Sequence, residues 1–256
     1  MDFYRDISDY YDYIFPFKEV TYNFLLDSYN LSSNKGNSEC RILDIACGSG
    51  IYALNLASNG GQVIATDLDP LMIAQAQAKN KNRINTVTFK VHNMLELDQL
   101  EDPSLGFDFV YCIGNSIVHL DTIDEIYSVI NSVYELLNFG GTFVIQIINF
   151  DRILKEQVNE LPTIVNEDEG VTFKREYNHL DHEHKIEFST VLDIETQGMT
   201  ERYTQSVKLY PLVVNELVKG FEDAGFLEIE LFGGFNGIAY DRDTSYPTII
   251  RGVKNK

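Results

Sequence analysis

Basic residues are scarce in this chain. Against 39 acids stand only 20 lysines and arginines, a formal net charge of −19 over 256 residues, and no basic run interrupts the imbalance. Docking on nucleic acid depends on neutralising phosphates with Lys and Arg, so no nucleic-acid partner is expected. The same charge argues against an anionic membrane surface, which leaves a small molecule, neutral or cationic, as the expected ligand. Cysteine is equally sparse: Cys40, Cys47 and Cys112 show no paired spacing, so neither a disulfide framework nor a zinc site is expected. No apolar run approaches membrane-spanning length, and Met1-Asp2-Phe3-Tyr4-Arg5-Asp6 lacks a basic region followed by an apolar core. The expected setting is a reducing cytoplasm. Internal repeats and low-complexity tracts are absent too, and the length suits one large α/β domain with a substantial core, with or without an insertion.

What the chain does have is the stretch Ile42-Leu43-Asp44-Ile45-Ala46-Cys47-Gly48-Ser49-Gly50, an apolar run that bends through small residues into the helical Ile51 to Ala57. Gly48 and Gly50 permit positive φ and a close approach of ligand to backbone, at the carboxyl end of a strand. Gly48-Ser49-Gly50-Ile51-Tyr52-Ala53 also fits a dinucleotide-binding turn, with Asp67 at the spacing of a ribose-binding carboxylate. Asp44 weighs against a pyrophosphate, which a carboxylate repels, and favours a ligand carrying an ammonium and a sulfonium. An ordinary tight turn accounts for Gly48 and leaves the flanking acids unexplained. Asp44 with Ala46-Cys47-Gly48-Ser49-Gly50 resembles motif I of the class I S-adenosylmethionine (SAM)-dependent methyltransferases.

Strand-like runs alternate with helical ones through the first part of the chain. Gln62–Asp67, Thr86–Val91, Phe107–Ile113 and Thr142–Ile148 read as strands, and Lys18–Tyr29, Leu71–Lys79 and a segment through Leu137, capped by Asp121 or Thr122, read as helices. Alternation of this kind predicts a doubly wound, mostly parallel sheet with ligands at the carboxyl ends. After Asp151 three strand-like runs, Val171–His179, Lys185–Ile194 and Glu201–Leu209, follow without helices between them, the pattern of a small antiparallel insertion. A helix near Pro211–Ala224 and strands Phe226–Phe232 and Pro247–Val253 close the chain. The resemblance implies a Rossmann-like sheet of seven strands built from residues 1–151 and 211–256, residues 152–210 as a cap, and the aromatic-rich residues 1–17 as a lid.

The resemblance also assigns roles. Asp44 would hold the amino-acid end of SAM, with close backbone approach at Ala46, Cys47 and Gly48. Asp67 would take the ribose hydroxyls, although it could instead cap a helix, a role for which Asp69 is better placed. Leu68 and Met72 would flank adenine or serve as core, and Asn93-Met94 stands where the family often has an acid. Tyr11-Asp12-Tyr13-Ile14-Phe15-Pro16 resembles the Tyr-Asp element of many small-molecule methyltransferases, in which a tyrosine, here Tyr11, faces the cofactor. Ile113-Gly114-Asn115-Ser116-Ile117-Val118-His119-Leu120 resembles the Gly-Asn-Ser-x-x-His-Leu segment of glycine and sarcosine N-methyltransferases. Carried over, Asn115 lies near the acceptor amine and His119 borders its pocket, with Ile113 on the cofactor side. A left-handed turn residue and a histidine on a helix face are the structural alternatives. Where the glycine enzymes carry a carboxylate-clamping arginine, this chain has Ile148, so glycine itself is not expected.

His179, Asp181, His182, Glu183 and His184 lack the spacing of an established metal site and fall on an expected hairpin turn, so no metal is expected. Tyr177, Tyr203, Tyr210 and Tyr240 could line an acceptor pocket or pack in the core. The expected activity is methyl transfer from SAM, releasing S-adenosylhomocysteine, to a small-molecule acceptor, with an amine nitrogen favoured. A hydroxyl or carboxylate oxygen as acceptor, a nicotinamide-linked oxidoreductase using the same Gly48 loop, and a non-catalytic SAM-binding protein are the alternatives. A homodimer is left open.

Overall fold

The computed structural model describes residues 7–32, 40–80, 86–100, 106–180 and 184–255. Two short elements lead in, α1 (Tyr11–Ile14) and α2 (Glu19–Leu31). Strand and helix then alternate: β1 (Arg41–Ile45), α3 (Ile51–Ala57), β2 (Gln62–Asp67), α4 (Pro70–Lys79), β3 (Val87–Val91), β4 (Phe107–Cys112), α5 (Ile123–Leu136) and β5 (Leu137–Ile148). The remainder is α6 (Phe150–Glu156), β6 (Glu160–Asn166), β7 (Val171–Leu180), β8 (Lys185–Thr196), β9 (Met199–Leu209), α7 (Val214–Ala224), β10 (Leu227–Phe232) and β11 (Pro247–Val253).

Local chemistry explains most boundaries. Asp69 accepts the Leu71 N–H at 2.8 Å with Pro70 at the first helical position, so α4 begins where a proline costs no hydrogen bond. Thr122, rather than Asp121, caps α5, because Glu125 three residues on completes a reciprocal capping box. Gly225, with φ 99°, ends α7 in the left-handed conformation that glycine adopts without strain.

Seven strands form one sheet in the order β10-β11-β5-β4-β1-β2-β3, with β11 antiparallel to both its neighbours. The order reverses beside β1, between β2 and β4, which puts the ligand-binding crevice of a doubly wound sheet at the carboxyl ends of β1 and β4. Because side chains alternate along a strand, Leu43 and Ile45 join the core under α5 and α7, whereas Ile42 joins the core under α2, α3 and α4. Asp44 falls on the Ile42 side.

A second sheet of four antiparallel strands, β6-β7-β8-β9, is inserted between α6 and α7. Three of its strands fall where the sequence places them. The first, β6, is not expected, since only Leu161 of its seven residues is buried and no alternation shows. The helix α6 is likewise an addition: Asn149 accepts the Arg152 N–H and caps it, so the chain leaves the β5 direction before Arg152. β5 begins at Leu137, five residues ahead of the expected Thr142, because Leu137 already pairs with Phe107 before the register shifts.

Candidate active site

The loop after β1 is built by hydrogen bonds among its own acids and amides. Ala46 and Gly48 take φ of 58° and 55°, the first without glycine's freedom. The Cys47 N–H donates to the Thr66 carbonyl at 2.8 Å, tying the turn to β2. Asp67, at the end of β2, accepts the Gly48 N–H at 2.8 Å through Oδ2 and the Asp69 N–H at 2.9 Å through Oδ1. Each oxygen keeps a lone pair, so Asp67 shapes the loop and can still accept from a diol. Burial raises its pKa.

Asp44 is 2% exposed and accepts a hydrogen bond from the Tyr111 hydroxyl at 2.7 Å. The two residues are register partners on β1 and β4, so their side chains emerge on one face of the sheet. Burial pushes the Asp44 carboxyl up to about 8; the Tyr111 bond opposes that rise and the charge of Asp67 adds to it. A buried acid in this state has the chemistry to take an ammonium group, which would supply the missing counter-charge. A pyrophosphate supplies no such counter-charge, and the ionised carboxylate would repel it. Two acids with open acceptor capacity around a positive-φ turn therefore suit SAM better than a dinucleotide.

The N-terminal segment lies directly on this loop. A methyl group built on Gly48 would sit 3.1 Å from the Tyr11 hydroxyl, so Tyr11 covers the turn and its ring would have to shift to admit a side chain there. Asp12 accepts from the Ser49 hydroxyl and pairs with Lys79, whose ammonium also reaches the Ser49 carbonyl at 3.3 Å. Sequence reasoning singled out Tyr11 and gave Asp12 no role. The acid's spacing carries no signal, since its partners are 37 and 67 positions away.

The remaining cofactor candidates lie on α4 and in the segments that follow β2, β3 and β4. Leu68 is 43% exposed at the turn after β2, and Met72 is on the buried face of α4. Asn93 accepts the Leu95 N–H at 3.1 Å and caps the short turn that contains Met94, leaving its amide hydrogens and one lone pair for a ligand. Met94 packs against the α5-side core and Ile113 against the opposite one, on either side of the sheet.

Asn115 has a φ of 68°, and its Oδ1 accepts the Ile148 N–H at 2.9 Å, bridging the loop after β4 to the end of β5. The left-handed turn geometry is thus present, and one acceptor site of Oδ1 remains open toward the crevice chemistry. Gln146, absent from the candidates above, accepts the Gly114 N–H at 2.8 Å and presents its backbone carbonyl to the Asn115 N–H at 3.2 Å. His119 ends a single helical turn, Ile117–His119, and burial pulls its imidazole down to about 4, so it is neutral near pH 7. Asp181, His182 and Glu183 lie outside the described residues; His179 lies 3.1 Å from the Val158 carbonyl and His184 meets Tyr210 edge-on. A surface groove of about 650 Å³ beside Asp124, Tyr127 and Asn131 of α5 contains none of these residues.

Comparisons with known proteins place this architecture. A family model described as a methyltransferase domain matches residues 42–141, which spans β1 to the start of β5. The chain is 25% identical over 215 residues to a glycine/sarcosine N-methyltransferase of Parasynechococcus marenigrum, covering 84% of this chain and 71% of that protein. It is 32% identical over 123 residues to the glycine N-methyltransferase of Mus musculus, a match covering 44% of this chain and 42% of the mouse protein. Among solved structures, a SAM-dependent methyltransferase from Clostridium acetobutylicum superposes with a TM-score of 0.77 at 14% identity, covering 99% of both chains, a likeness of fold. With its 3-2-1-4-5 parallel run closed by an antiparallel hairpin and its acid-flanked glycine turn, the chain has the fold of the class I SAM-dependent methyltransferases and carries a methyltransferase domain over residues 42–141.

Proposed function

We propose that the protein transfers the methyl group of SAM to the nitrogen of a small-molecule amine. SAM supplies an electrophilic methyl on a sulfonium, and displacement requires a lone pair aligned with it and water kept out. The observation that carries the choice of nitrogen is the state of His119. A hydroxyl acceptor needs a base of pKa near the working pH, whereas an imidazole lowered to about 4 is a poor one. An amine needs only to be bound in its neutral form. Asn115 Oδ1, held by the Ile148 N–H, accepts an N–H from the amine through its second lone pair and so turns the nitrogen lone pair toward the methyl. Neutral His119 borders the same pocket without adding a charge that would repel an ammonium before it sheds its proton to solvent.

On this reading Asp44 takes the amino-acid end of SAM, Asp67 the ribose, Leu68, Met72, Asn93 and Met94 the adenine, and Tyr11 closes the site from above. The four-stranded sheet acts as the cap on the acceptor side. Ile148, 8% exposed, offers no clamp at the position where the glycine enzymes carry their arginine, so a carboxylate held as in those enzymes finds no partner here. The names of the two relatives support nitrogen as the acceptor atom, and three free cysteines suit a cytoplasmic setting. S-adenosylhomocysteine formation over a panel of amines and their matched alcohols tests the reading. Turnover of amines with alcohols inert supports it, as does an Asn115→Ala variant with kcat reduced about tenfold or more. Alcohols turned over faster than amines, or Asn115→Ala at full rate, would remove it.

A further inference from the structure

The inner face of the cap carries a polar row between two apolar ones. Its register sets Phe173 beside Leu192 and Tyr203, Arg175 beside Thr190 and Gln205, and Tyr177 beside Phe188 and Val207. The Phe173 row packs with Ile7, Ile14, Tyr11 and Phe15, the segment that covers the Gly48 turn. The Tyr177 row packs with Phe150 and the core at the end of β5. Arg175 therefore lies on this face between the row that packs with the cover of the cofactor loop and the row that packs at the end of β5. Among the described residues it has no carboxylate partner: its Nη2 donates to the Pro162 carbonyl at 2.7 Å, and its Nε is buried without one. Among the described residues the Tyr177 hydroxyl, on a side chain 3% exposed, is also buried without a partner, as is Arg152 Nε, whose guanidinium lies 6.0 Å from the Tyr246 ring. The Tyr177 hydroxyl lies within the field of both guanidiniums.

A buried phenol and two buried guanidine N–H groups without partners cost free energy unless something accepts from them. All three are donors, and two sit on cations, so the missing partner is an anion with several acceptor oxygens. We propose that Arg175, Tyr177 and Arg152 form the subsite for an acidic group on the methyl acceptor, a carboxylate or a phosphate. This rests on the reading of the protein as a small-molecule N-methyltransferase and narrows its substrate class. It also reverses locally what the whole-chain charge predicts, since a chain of net charge −19 needs concentrated positive charge to hold an acid. Arg152 carries part of its charge toward Glu156 at 3.4 Å, which leaves Arg175 as the principal determinant.

Calorimetric titration of the S-adenosylhomocysteine complex with 3-aminopropanoate, 3-aminopropylphosphonate and propylamine tests the subsite without requiring turnover. At least one acidic probe binds about tenfold or more tightly than propylamine, the range of a charge-assisted hydrogen bond, and the better of the two distinguishes a carboxylate from a phosphate site. Arg175→Gln brings the acids to the level of propylamine while the affinity for S-adenosylhomocysteine stays unchanged, and Arg175→Lys restores part of the loss. Tyr177→Phe weakens the acids and, having lost a buried unpaired hydroxyl, melts no lower than wild type. Propylamine binding as tightly as the acids, acids that do not bind, or acid binding indifferent to both Arg175→Gln and Tyr177→Phe would overturn the proposal. Acid binding lost in Arg175→Gln, with no methyl transfer to any amine, would sink the N-methyltransferase reading and leave the anion subsite standing.

Discussion

At Asp44 the fold holds a carboxyl in a state that only a cationic ligand relieves. Its pKa near 8 in the ligand-free protein means that it is largely protonated at neutral pH, whereas the proposed contact with the ammonium end of SAM requires the carboxylate. SAM affinity therefore falls as pH drops from about 7 to about 5, by up to about tenfold per unit, and binding releases a proton. Titrations in buffers of different ionisation enthalpy measure that release. An affinity flat over this range would contradict it. Stability has the opposite sign. A carboxyl whose pKa is raised on folding contributes fully below its unfolded value and loses that contribution as pH climbs through the folded one. The ligand-free protein should thus melt lower at about pH 9 than at about pH 6.5, and Asp44→Asn should narrow the difference. Tyr111→Phe deletes the bond that stabilises the carboxylate, so the SAM-binding midpoint should move to higher pH.

Two elements owe their position to single polar side chains. Asn149, fully buried at the start of α6, donates to the carbonyls of Arg242 and Ser245 at 2.9 and 3.0 Å and accepts from the Tyr240 hydroxyl and the Arg152 N–H. It pins α6 to the loop before β11, so that Ile148 and Arg152 face their neighbours in fixed register. Asn149→Ala should cost about 2–4 kcal/mol in urea unfolding, the sum expected for several buried groups left unpaired. A cost below about 1 kcal/mol would show that the surroundings relax. The N-terminal segment is held more lightly, by Asp12 on Ser49 and Lys79 at a partly exposed site. Asp12→Ala should lower SAM affinity a few-fold and leave residues 7–17 open to protease in the presence of S-adenosylhomocysteine, whereas wild type gains protection. Equal cleavage with and without that ligand would remove the lid role.

The seven-stranded sheet was legible because its strands are short apolar runs punctuated by Gly, Asp and Pro, and the run Gln62–Asp67 is recovered residue for residue. What escaped has physical causes. β6 buries too little to alternate, and α6 is capped by an asparagine that reads equally well as the end of a strand. Tyr111 lies in the wholly buried β4, where a phenol looks like core until its register partner, Asp44, is known. Arg175, in a strand of otherwise mixed pattern, becomes conspicuous only once the sheet register sets it inward beside Thr190. Candidate site residues next to glycine turns carry a local signal; those defined by partners far along the chain carry none. The central claim is that the Asp44–Gly50 turn and Asp67 hold SAM. Its most direct test is calorimetric titration of wild type and Asp67→Ala with SAM, S-adenosylhomocysteine and NAD, with melting curves to show that the variant is folded. Micromolar binding of the first two, weakened about tenfold or more in Asp67→Ala, with NAD silent, is the predicted result. SAM binding indifferent to Asp67→Ala, or NAD bound in its place, would contradict it.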